Sequence, residues 1–211
     1  MSRTARATRR IGRRALPLAG TIAAIAFAAS SGSAQAAVIS TGACNNASLT
    51  TPFAPWGDQS SYELMPGGDF SSALSGWTLS GGARVTAGGE PAAVAGAQGG
   101  NSLLLPPGAS AQTPFTCVDA AYPTFRFFGR NDDLLGTVAV SIVYDEPLVG
   151  QVAVPVGTVT LSGAWQPTLP MLTLSAVQGA LSGGTAQVAL RFTAVLGSSQ
   201  IDDVFVDPRM T

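Results

Sequence analysis

Three pairs of neighbouring acidic residues are the side chains of this sequence that are best suited to chemistry: Asp132-Asp133, Asp145-Glu146 and Asp202-Asp203. Two carboxylates at a set separation are sufficient for glycoside hydrolysis, in which one donates a proton and the other attacks the sugar or activates water. Neighbouring side chains on a β-strand point to opposite faces, so an adjacent pair is not expected to form such a dyad by itself. A hydrolase would need acids distant in sequence to share one cleft, and the candidates are Asp69, Glu90, Asp132, Asp133, Asp145 and Asp203.

The residue types that are missing exclude most other catalysis. The 211-residue chain has no histidine, and all 11 of its basic residues are arginine. Without histidine there is no Ser-His-Asp triad and no Cys–His nucleophile pair, and without lysine there is no Schiff base. We expect a non-catalytic protein in which Asp132, Asp133, Asp145 and Glu146 are solvated turn residues. A glycoside hydrolase that uses distant carboxylates is the alternative.

The first 36 residues have the three parts of a secretory signal peptide. Six arginines fall within the first fourteen positions, an uncharged and mostly apolar run covers residues 15–29, and Ala34-Gln35-Ala36 is a cleavage triplet. The apolar run is shorter than the roughly 20 residues that span a bilayer. We therefore predict a signal peptide over residues 1–36, a secreted protein and no transmembrane segment in the mature chain, with the choice between general and twin-arginine export open.

Cleavage after residue 36 would change the net charge of the chain, and export would favour a disulfide between its two cysteines. It leaves five arginines against twelve acidic residues, a net charge of −7, which disfavours nucleic acid as a partner. Cys44 and Cys117 are the two cysteines, and in an exported protein a disulfide between them is expected. It would tie an N-terminal arm, residues 37–60, to the body and add about 4 kcal/mol in the chain-entropy model.

Short runs of alternating apolar and polar residues, separated by glycine and proline, predict strands over residues 61–211. Phe125 and Phe127 fall on one face of such a run, with Arg126 and Phe128 on the other. Two further single-face sets are Val138, Val140, Ile142 and Tyr144, and Val188, Leu190 and Phe192. Many short strands with little helix predict an all-β fold, an antiparallel β-sandwich. Residues 171–181 fit either a strand or a short helix.

Two end motifs carry a resemblance to a known family. The stretch LMPGGDFSSALSGWTLSGGA, residues 64–83, resembles the opening of carbohydrate-binding-module jelly rolls with a galactose-binding-like fold, which begin N-G-D-F-E and continue to G-W. IDDVFVDP, residues 201–208, resembles their final strand, and GNSLLL and SGAWQPT are similar to interior strands. The resemblance implies a secreted sandwich that binds polysaccharide or cell-envelope glycan. The alternative is a structural or protein-interaction domain that kept the fold without sugar binding.

The resemblance also implies a structural calcium ion. Its ligands would be Asp69 and Asp203, with backbone carbonyls near Gly100-Asn101. The glutamate of the family motif corresponds to Ser71 here, and a lost carboxylate weakens a calcium site. The alternative is that Asp203 accepts hydrogen bonds from turn amides.

Sugar binding in such modules uses aromatic platforms with polar side chains beside them. The candidate ligand-binding residues are Trp56, Asp58, Tyr122, Arg126, Tyr144 and Trp165. Partial burial in the fold is the alternative for each aromatic residue, and we expect Trp77 in the core. Trp56 and Asp58 could instead fasten the arm to the sandwich.

Overall fold

A computed structural model describes residues 48–72, 74, 76–95, 100–119, 124–146, 148–172 and 185–207. All of them belong to the compact unit Val38–Thr211. The predicted signal peptide, Cys44 and Tyr122 lie outside the described residues, as do residues 173–181 of the segment that fits either a strand or a helix. In the described part of the chain, no helix has the length and apolar character needed to cross a membrane.

Fourteen strands and one short 3-10 helix make up the described elements. The helix is Ala54–Trp56. The strands are β1 Leu49–Thr50, β2 Tyr62–Leu64, β3 Thr78–Ser80, β4 Arg84–Ala87, β5 Asn101–Leu105, β6 Ser110–Gln112, β7 Thr116–Asp119, β8 Thr124–Asn131, β9 Gly136–Glu146, β10 Gly150–Leu161, β11 Gln166–Pro167, β12 Met171–Leu172, β13 Thr185–Leu196 and β14 Ser199–Asp207.

The strands form two antiparallel sheets, which confirms the predicted β-sandwich. One sheet has eight strands, with β14 at its centre: β2 and β5 pair with one edge of β14 and β8 pairs with the other. Strands β1, β4, β11 and β12 extend this sheet outward. The second sheet has six strands in the order β10-β9-β13-β6-β3, with β7 also paired to β13. The residues of the acidic pocket and of the aromatic cluster under the arm, which are the candidate functional sites, lie on four strands, β2, β5, β8 and β14, and on the loops around them.

The core between the sheets follows the predicted alternation. Phe125 and Phe127 of β8 lie in the main cluster, and the three predicted sets on β8, β9 and β13 face it together. Phe70 and Trp77 are also buried there, with ring centroids 5.1 Å apart, as expected for the opening motif. The indole N–H of Trp77 donates to the Pro66 carbonyl at 2.7 Å, which satisfies its polar atom inside the core.

Strand β10 differs from the sequence expectation. The sequence predicts two strands, residues 151–154 and 158–161, broken by the segment that contains Pro155. The structure instead has one 12-residue strand with a register shift between Pro155 and Gly157. In the described part of its sheet, β10 pairs with β9 alone, and a proline that lacks an N–H is tolerated on an edge strand or at a bulge.

The described part of the arm is ordered by packing, as its lack of periodicity suggests. Phe53 is fully buried against Tyr62, Phe128 and Phe205, which form a second apolar cluster. Its ring meets Tyr62 and Phe205 edge-on, at centroid distances of 5.1 and 5.5 Å. Because Phe125 and Phe127 fill the main core, Phe128 lies on the opposite, outer face of the eight-stranded sheet. The arm therefore covers that face.

Candidate functional site

A small acidic pocket lies where β14 meets the loops before β3 and β5. It encloses about 20 Å³ and is lined by Asp69, Ser71, Glu90, Gly100, Asn101, Asp202 and Asp203. Glu90 is 2% exposed, and Asp202 and Asp203 are 4% and 5% exposed. A cavity of this size holds one water-sized species, so the pocket gathers four carboxylates around room for a single small ion.

The neighbours Asp202 and Asp203 both line this pocket, and the expectation that adjacent acids point to opposite faces is wrong here. The pairing of β14 with β8 shifts register between Asp202 and Phe205. Asp203 also has a positive φ of 48°, which a non-glycine residue rarely adopts. This bulge breaks the two-residue alternation and turns both carboxylates the same way.

Backbone amides hold part of the acidic cluster. The two oxygens of Asp202 accept the N–H groups of Glu90 at 2.8 Å and Asp203 at 2.9 Å. The Glu90 carboxylate accepts the amides of Ala92 at 2.6 Å and Val94 at 3.0 Å. Among the described residues, no group of three or more acidic or other metal-binding side chains is already arranged as a metal site. Each of the four carboxylate oxygens of Glu90 and Asp202 accepts one amide and keeps a lone pair that could face a cation.

The buried carboxyls are electrostatically strained. Burial, together with the charges of Glu90 and Asp69, raises the pKa of Asp202 to about 7, although hydrogen bonds from two backbone amides lower it. Burial and the neighbouring charge of Asp202 likewise raise the pKa of Asp203, which also shares a hydrogen bond with Glu90. Such a cluster needs protons or a cation to neutralise it.

The chemistry of the pocket fits a hard cation better than hydrolysis. Calcium prefers carboxylate and carbonyl oxygens, and the pocket offers carboxylates with the backbone of Gly100-Asn101 beside them. Ser71 stands where the family motif has glutamate, and its hydroxyl donates to the Asp69 carboxylate. Asp69, Glu90 and Asp203, three of the acids predicted as candidates for a common cleft, do share one. A pocket of about 20 Å³ has no room for a sugar ring.

A second network fastens the arm to the sheet. Arg126, 4% exposed, donates from Nη1 to Asp58 Oδ2 at 2.7 Å and from Nε to the Thr168 carbonyl at 2.7 Å. Its guanidinium carbon lies 4.1 Å from the centroid of the Phe53 ring. The Tyr62 hydroxyl donates to Asp58 at 2.8 Å. Asp58 and Arg126 are thus engaged with each other, as in the fastening alternative, and the ligand roles predicted for them gain no support from this geometry.

The electrostatics of this network match a structural ion pair. Partial burial alone would raise the pKa of Asp58, but hydrogen bonds from Ser60, Tyr62 and Arg126 outweigh it and lower the value to about 2. Burial, followed by the bond to Asp58, raises the pKa of Tyr62 to about 12. Asp58 is therefore charged and Tyr62 neutral across the physiological range.

Two indoles lie at the exposed border of the second apolar cluster. Trp56 is 40% exposed and meets Phe128 edge-on at a centroid distance of 5.2 Å. Trp165 is half-buried against the same cluster, and the Arg130 guanidinium lies 5.5 Å from the centroid of its ring. Arg130 also pairs with Asp132 at 3.2 Å. We call this surface, made of Trp56, Trp165, Arg130 and Asp132, the indole surface.

The six-stranded sheet offers no comparable aromatic surface in its described strands. They carry two aromatic side chains, Tyr144 and Phe192, and both pack against the main core. Tyr144, predicted to bind ligand, is thus turned inward. On the opposite face of that sheet, Arg191 donates twice to Gln112 Oε1, at 3.0 and 2.7 Å.

A groove of about 480 Å³ runs beside the end of β10. Its lining residues are Gly129, Thr158, Val159, Thr160, Leu161, Ser162, Gln166, Pro167, Thr168, Leu169 and Met171. The volume suits a small ligand, but none of these side chains is aromatic.

Comparisons with known proteins identify the fold. No protein-family model matches the chain, and no curated protein matches it. A solved structure of the CBM22-1–GH10 modules of Clostridium thermocellum endo-1,4-beta-D-xylanase 10B, complexed with xylohexaose, superposes with a TM-score of 0.50 at 16% identity. The fold is that of a carbohydrate-binding-module jelly roll. The match covers 68% of this chain and 28% of the xylanase chain.

Two further solved structures extend the comparison. The family 11 carbohydrate-binding module from Clostridium thermocellum, in complex with a beta-1,3-1,4-mixed-linked tetrasaccharide, has a TM-score of 0.43 at 14% identity and covers 71% of this chain and 97% of its own. The enzymatically active domain of tailspike protein 4 of bacteriophage CBA120 has a TM-score of 0.41 at 16% identity, covering 67% and 20%.

The sequence did not predict Asp202 as a member of the acidic pocket, and it named Glu90 as a candidate for a shared cleft but not as a calcium ligand. Glu90 lies 112 residues before Asp202, and its loop has no alternation to place it. In the sequence, Asp202 is notable only as the neighbour of Asp203. No residue pattern in the sequence predicts the bulge that turns its carboxylate into the pocket. Of the predicted ligand residues, the structure brings Trp56 and Trp165 to one surface, and their role stays a prediction.

Proposed function

We propose that this chain is an exported, non-catalytic β-sandwich module that binds polysaccharide or cell-envelope glycan. The observation that carries the proposal is the indole surface, where Trp165 lies beside the Arg130–Asp132 ion pair and Trp56 contacts Phe128 on the same strand. Sugars present C–H faces and hydroxyls together, so a site for them combines apolar rings with polar groups. Aromatic side chains with one apolar body and a polar edge suit such contacts.

The names of the solved neighbours suggest which glycans to try first. The xylanase modules were solved with xylohexaose, the family 11 module with a beta-1,3-1,4-mixed-linked tetrasaccharide, and a further neighbour, TmCBM61, with beta-1,4-galactotriose. These three oligosaccharides form the first test panel. Fold likeness does not set the ligand in such sandwiches, so the panel is a starting point.

The non-catalytic part of the proposal is supported by the acidic pocket. The described carboxylates that share a cleft enclose about 20 Å³, and glycoside hydrolysis needs its two carboxyl groups to flank the scissile bond of a bound sugar. A measurement of reducing ends released from xylan and mixed-linked glucan tests this part, and steady release would contradict it.

We also propose that the acidic pocket takes a structural calcium ion. Asp69 and Asp203 would supply carboxylates, with Glu90 and Asp202 as the two ligands that the sequence did not predict. A divalent cation would neutralise the carboxyls whose pKa values burial raises. Added calcium should then raise the melting temperature of EDTA-treated protein, and an unchanged value would exclude the ion.

Export and the disulfide complete the proposal. The basic, apolar and small-residue order of residues 1–36 supports cleavage and export. The described residues contain no free cysteine, which is consistent with a bond from Cys117 to Cys44. Mass spectrometry of the protein recovered outside the cell should give an N-terminus close to residue 37, and an intact leader would contradict export.

Titration calorimetry with the glycan panel tests the central proposal. Measurable heat with at least one glycan, absent for an unrelated sandwich protein of similar charge, is the expected result. A protein that binds no glycan would favour the alternative, a structural or protein-interaction domain. The described strands of the six-stranded sheet favour that alternative, because their aromatic side chains face the core.

A further inference from the structure

We propose that the glycan site is the indole surface, to which both the arm and the sandwich contribute, and that it prefers neutral sugars. This inference rests on the proposed function and adds its location and ligand class. The site would lie on the outer face of the eight-stranded sheet, away from the six-stranded sheet. Trp56 comes from the arm and Trp165 from the segment just before β11, so neither part forms the surface alone.

Strand β8 supplies the base of this surface. Arg126, Phe128 and Arg130 alternate along its outer face. An aromatic ring contacts each of them in turn: Phe53 lies over Arg126, Trp56 meets Phe128, and Trp165 lies beneath the Arg130 guanidinium. The regular strand spacing therefore sets the spacing of the rings that lie on it.

The arm holds Trp56 in a fixed position before any ligand arrives. Phe53, three residues earlier, is fully buried, and Asp58, two residues later, is bonded to Arg126 at 2.7 Å. Both ends of the short helix that carries Trp56 are thus anchored. A ring that is already ordered loses little entropy on binding, which favours affinity.

The polar groups of the surface point to a neutral ligand. The charge of Arg130 is already paired with Asp132 at 3.2 Å, and Gln200 Nε2 donates to the same carboxylate at 2.7 Å. A carboxylated sugar would have to compete with Asp132 for the guanidinium. A neutral sugar can instead stack its C–H face on the indoles and exchange hydroxyl bonds with both charged groups.

The two other surfaces that could bind a glycan lack outward-facing aromatic side chains among their described residues. The groove beside β10 has no aromatic lining, and the described strands of the six-stranded sheet turn Tyr144 and Phe192 inward. Arg191 on that sheet and Thr160 in the groove are therefore suitable positions for matched control substitutions.

Tryptophan fluorescence gives a direct readout, because the sequence contains three tryptophans. Trp77 is buried in the main core, while Trp56 and Trp165 lie on the proposed site. Xylohexaose or the mixed-linked tetrasaccharide should shift the emission of the wild type. The same glycan should leave the emission of the Trp56→Phe/Trp165→Phe variant, which keeps two apolar rings, unchanged. A shift of the same size in the double variant would overturn the inference.

Affinity measurements complete the test. Trp56→Ala and Trp165→Ala should each weaken binding roughly tenfold or more, as for buried aromatic anchors. Arg191→Ala and Thr160→Ala should leave binding within about twofold, and polygalacturonate should bind more weakly than the neutral glycans. Unchanged binding in both tryptophan variants, or loss in the Arg191 or Thr160 variant, would overturn the location and leave the proposed function standing. If the wild type bound none of the glycans, the proposed function would fall, and the inference with it.

Discussion

The Oδ2 atom of Asp58 lies 2.7 Å from Nη1 of Arg126, 68 residues further along the chain. The two side chains are 15% and 5% exposed, so the pair is largely removed from water. This contact joins the arm to the eight-stranded sheet and fixes the segment that carries Trp56.

Asp58→Asn should destabilise the protein by roughly 2 to 4 kcal/mol, because it leaves the buried cation of Arg126 without its counter-charge. The pKa of Asp58 is lowered to about 2, so its stabilisation is present above the ordinary value of 3.8 and is lost as pH falls toward 2. The difference between wild type and variant, measured by urea unfolding, should therefore shrink in acid.

Asp132→Asn is the matched control for that variant. Its ion pair with Arg130 is about one-third exposed on both sides, and such pairs contribute about 0 to 1 kcal/mol. If Asp132→Asn lowered the free energy of unfolding as much as Asp58→Asn does, solvent exposure would not determine how much each ion pair contributes to stability.

Stability in EDTA should fall as pH rises from about 4 to about 7. The folded pKa of Asp202 is about 7 against an ordinary value of 3.8, so in this window the folded state binds more protons than the unfolded state. For each extra proton that the folded state binds, the free energy of unfolding falls by about 1.4 kcal/mol per pH unit as the pH rises. Urea unfolding across the window measures the slope.

Calcium should remove most of this pH dependence, because the ion replaces the protons as the neutralising charge. Asp203→Asn should flatten the slope in EDTA and also abolish the calcium effect on melting temperature. Equal stability at both ends of the window without calcium would contradict the raised pKa of Asp202.

Gly89→Ala should destabilise the acidic pocket. A Cβ at this position would lie 2.5 Å from Asp202 Oδ2 and 2.7 Å from the Asn101 carbonyl, so the carboxylate or the loop must move. We expect a loss of about 1 to 3 kcal/mol and a smaller calcium response. Gly163→Ala, where the new atom meets nothing within 4 Å, should leave both unchanged. Differential scanning calorimetry with and without calcium would show whether the two variants differ.

The protein recovered from the cell exterior should contain no alkylatable thiol until it is reduced. A Cys44–Cys117 bond would stabilise the fold by about 4 kcal/mol in the chain-entropy model, so reduction should lower the melting temperature. Two thiols labelled by iodoacetamide without a reductant would refute the bond. The Cys44→Ser/Cys117→Ser variant is the control, since reductant should not change its melting temperature.

The main strands could be predicted because their side chains alternate between core and outer face. Phe125 and Phe127 enter the main core and Phe128 does not, as the period of two requires. The burial of Trp77 also followed from its place after the glycine-rich opening motif. Local pattern is sufficient where a strand is regular and one of its faces is buried.

The candidate sites depended on contacts that the local pattern does not encode. The bulge after Asp202 reversed the expected direction of one carboxylate, and Glu90 reaches the pocket from a loop without periodicity. Local position suggests Asp132 or Asp133 as a partner for Arg126 and Arg130; Arg130 does pair with Asp132, but Arg126 pairs with Asp58 in the arm. Long-range pairing decided each case.

The burial of Phe53 determines where a shortened, expressible form of this domain can begin. A fragment that begins at residue 61 would uncover the rings of Tyr62, Phe128 and Phe205 and leave Arg126 buried without Asp58. Such a fragment would expose a contiguous apolar surface, and we expect it to aggregate during expression. Fusions and crystallisation fragments should therefore start before β1, and residues 48–60 should be treated as part of the folding unit.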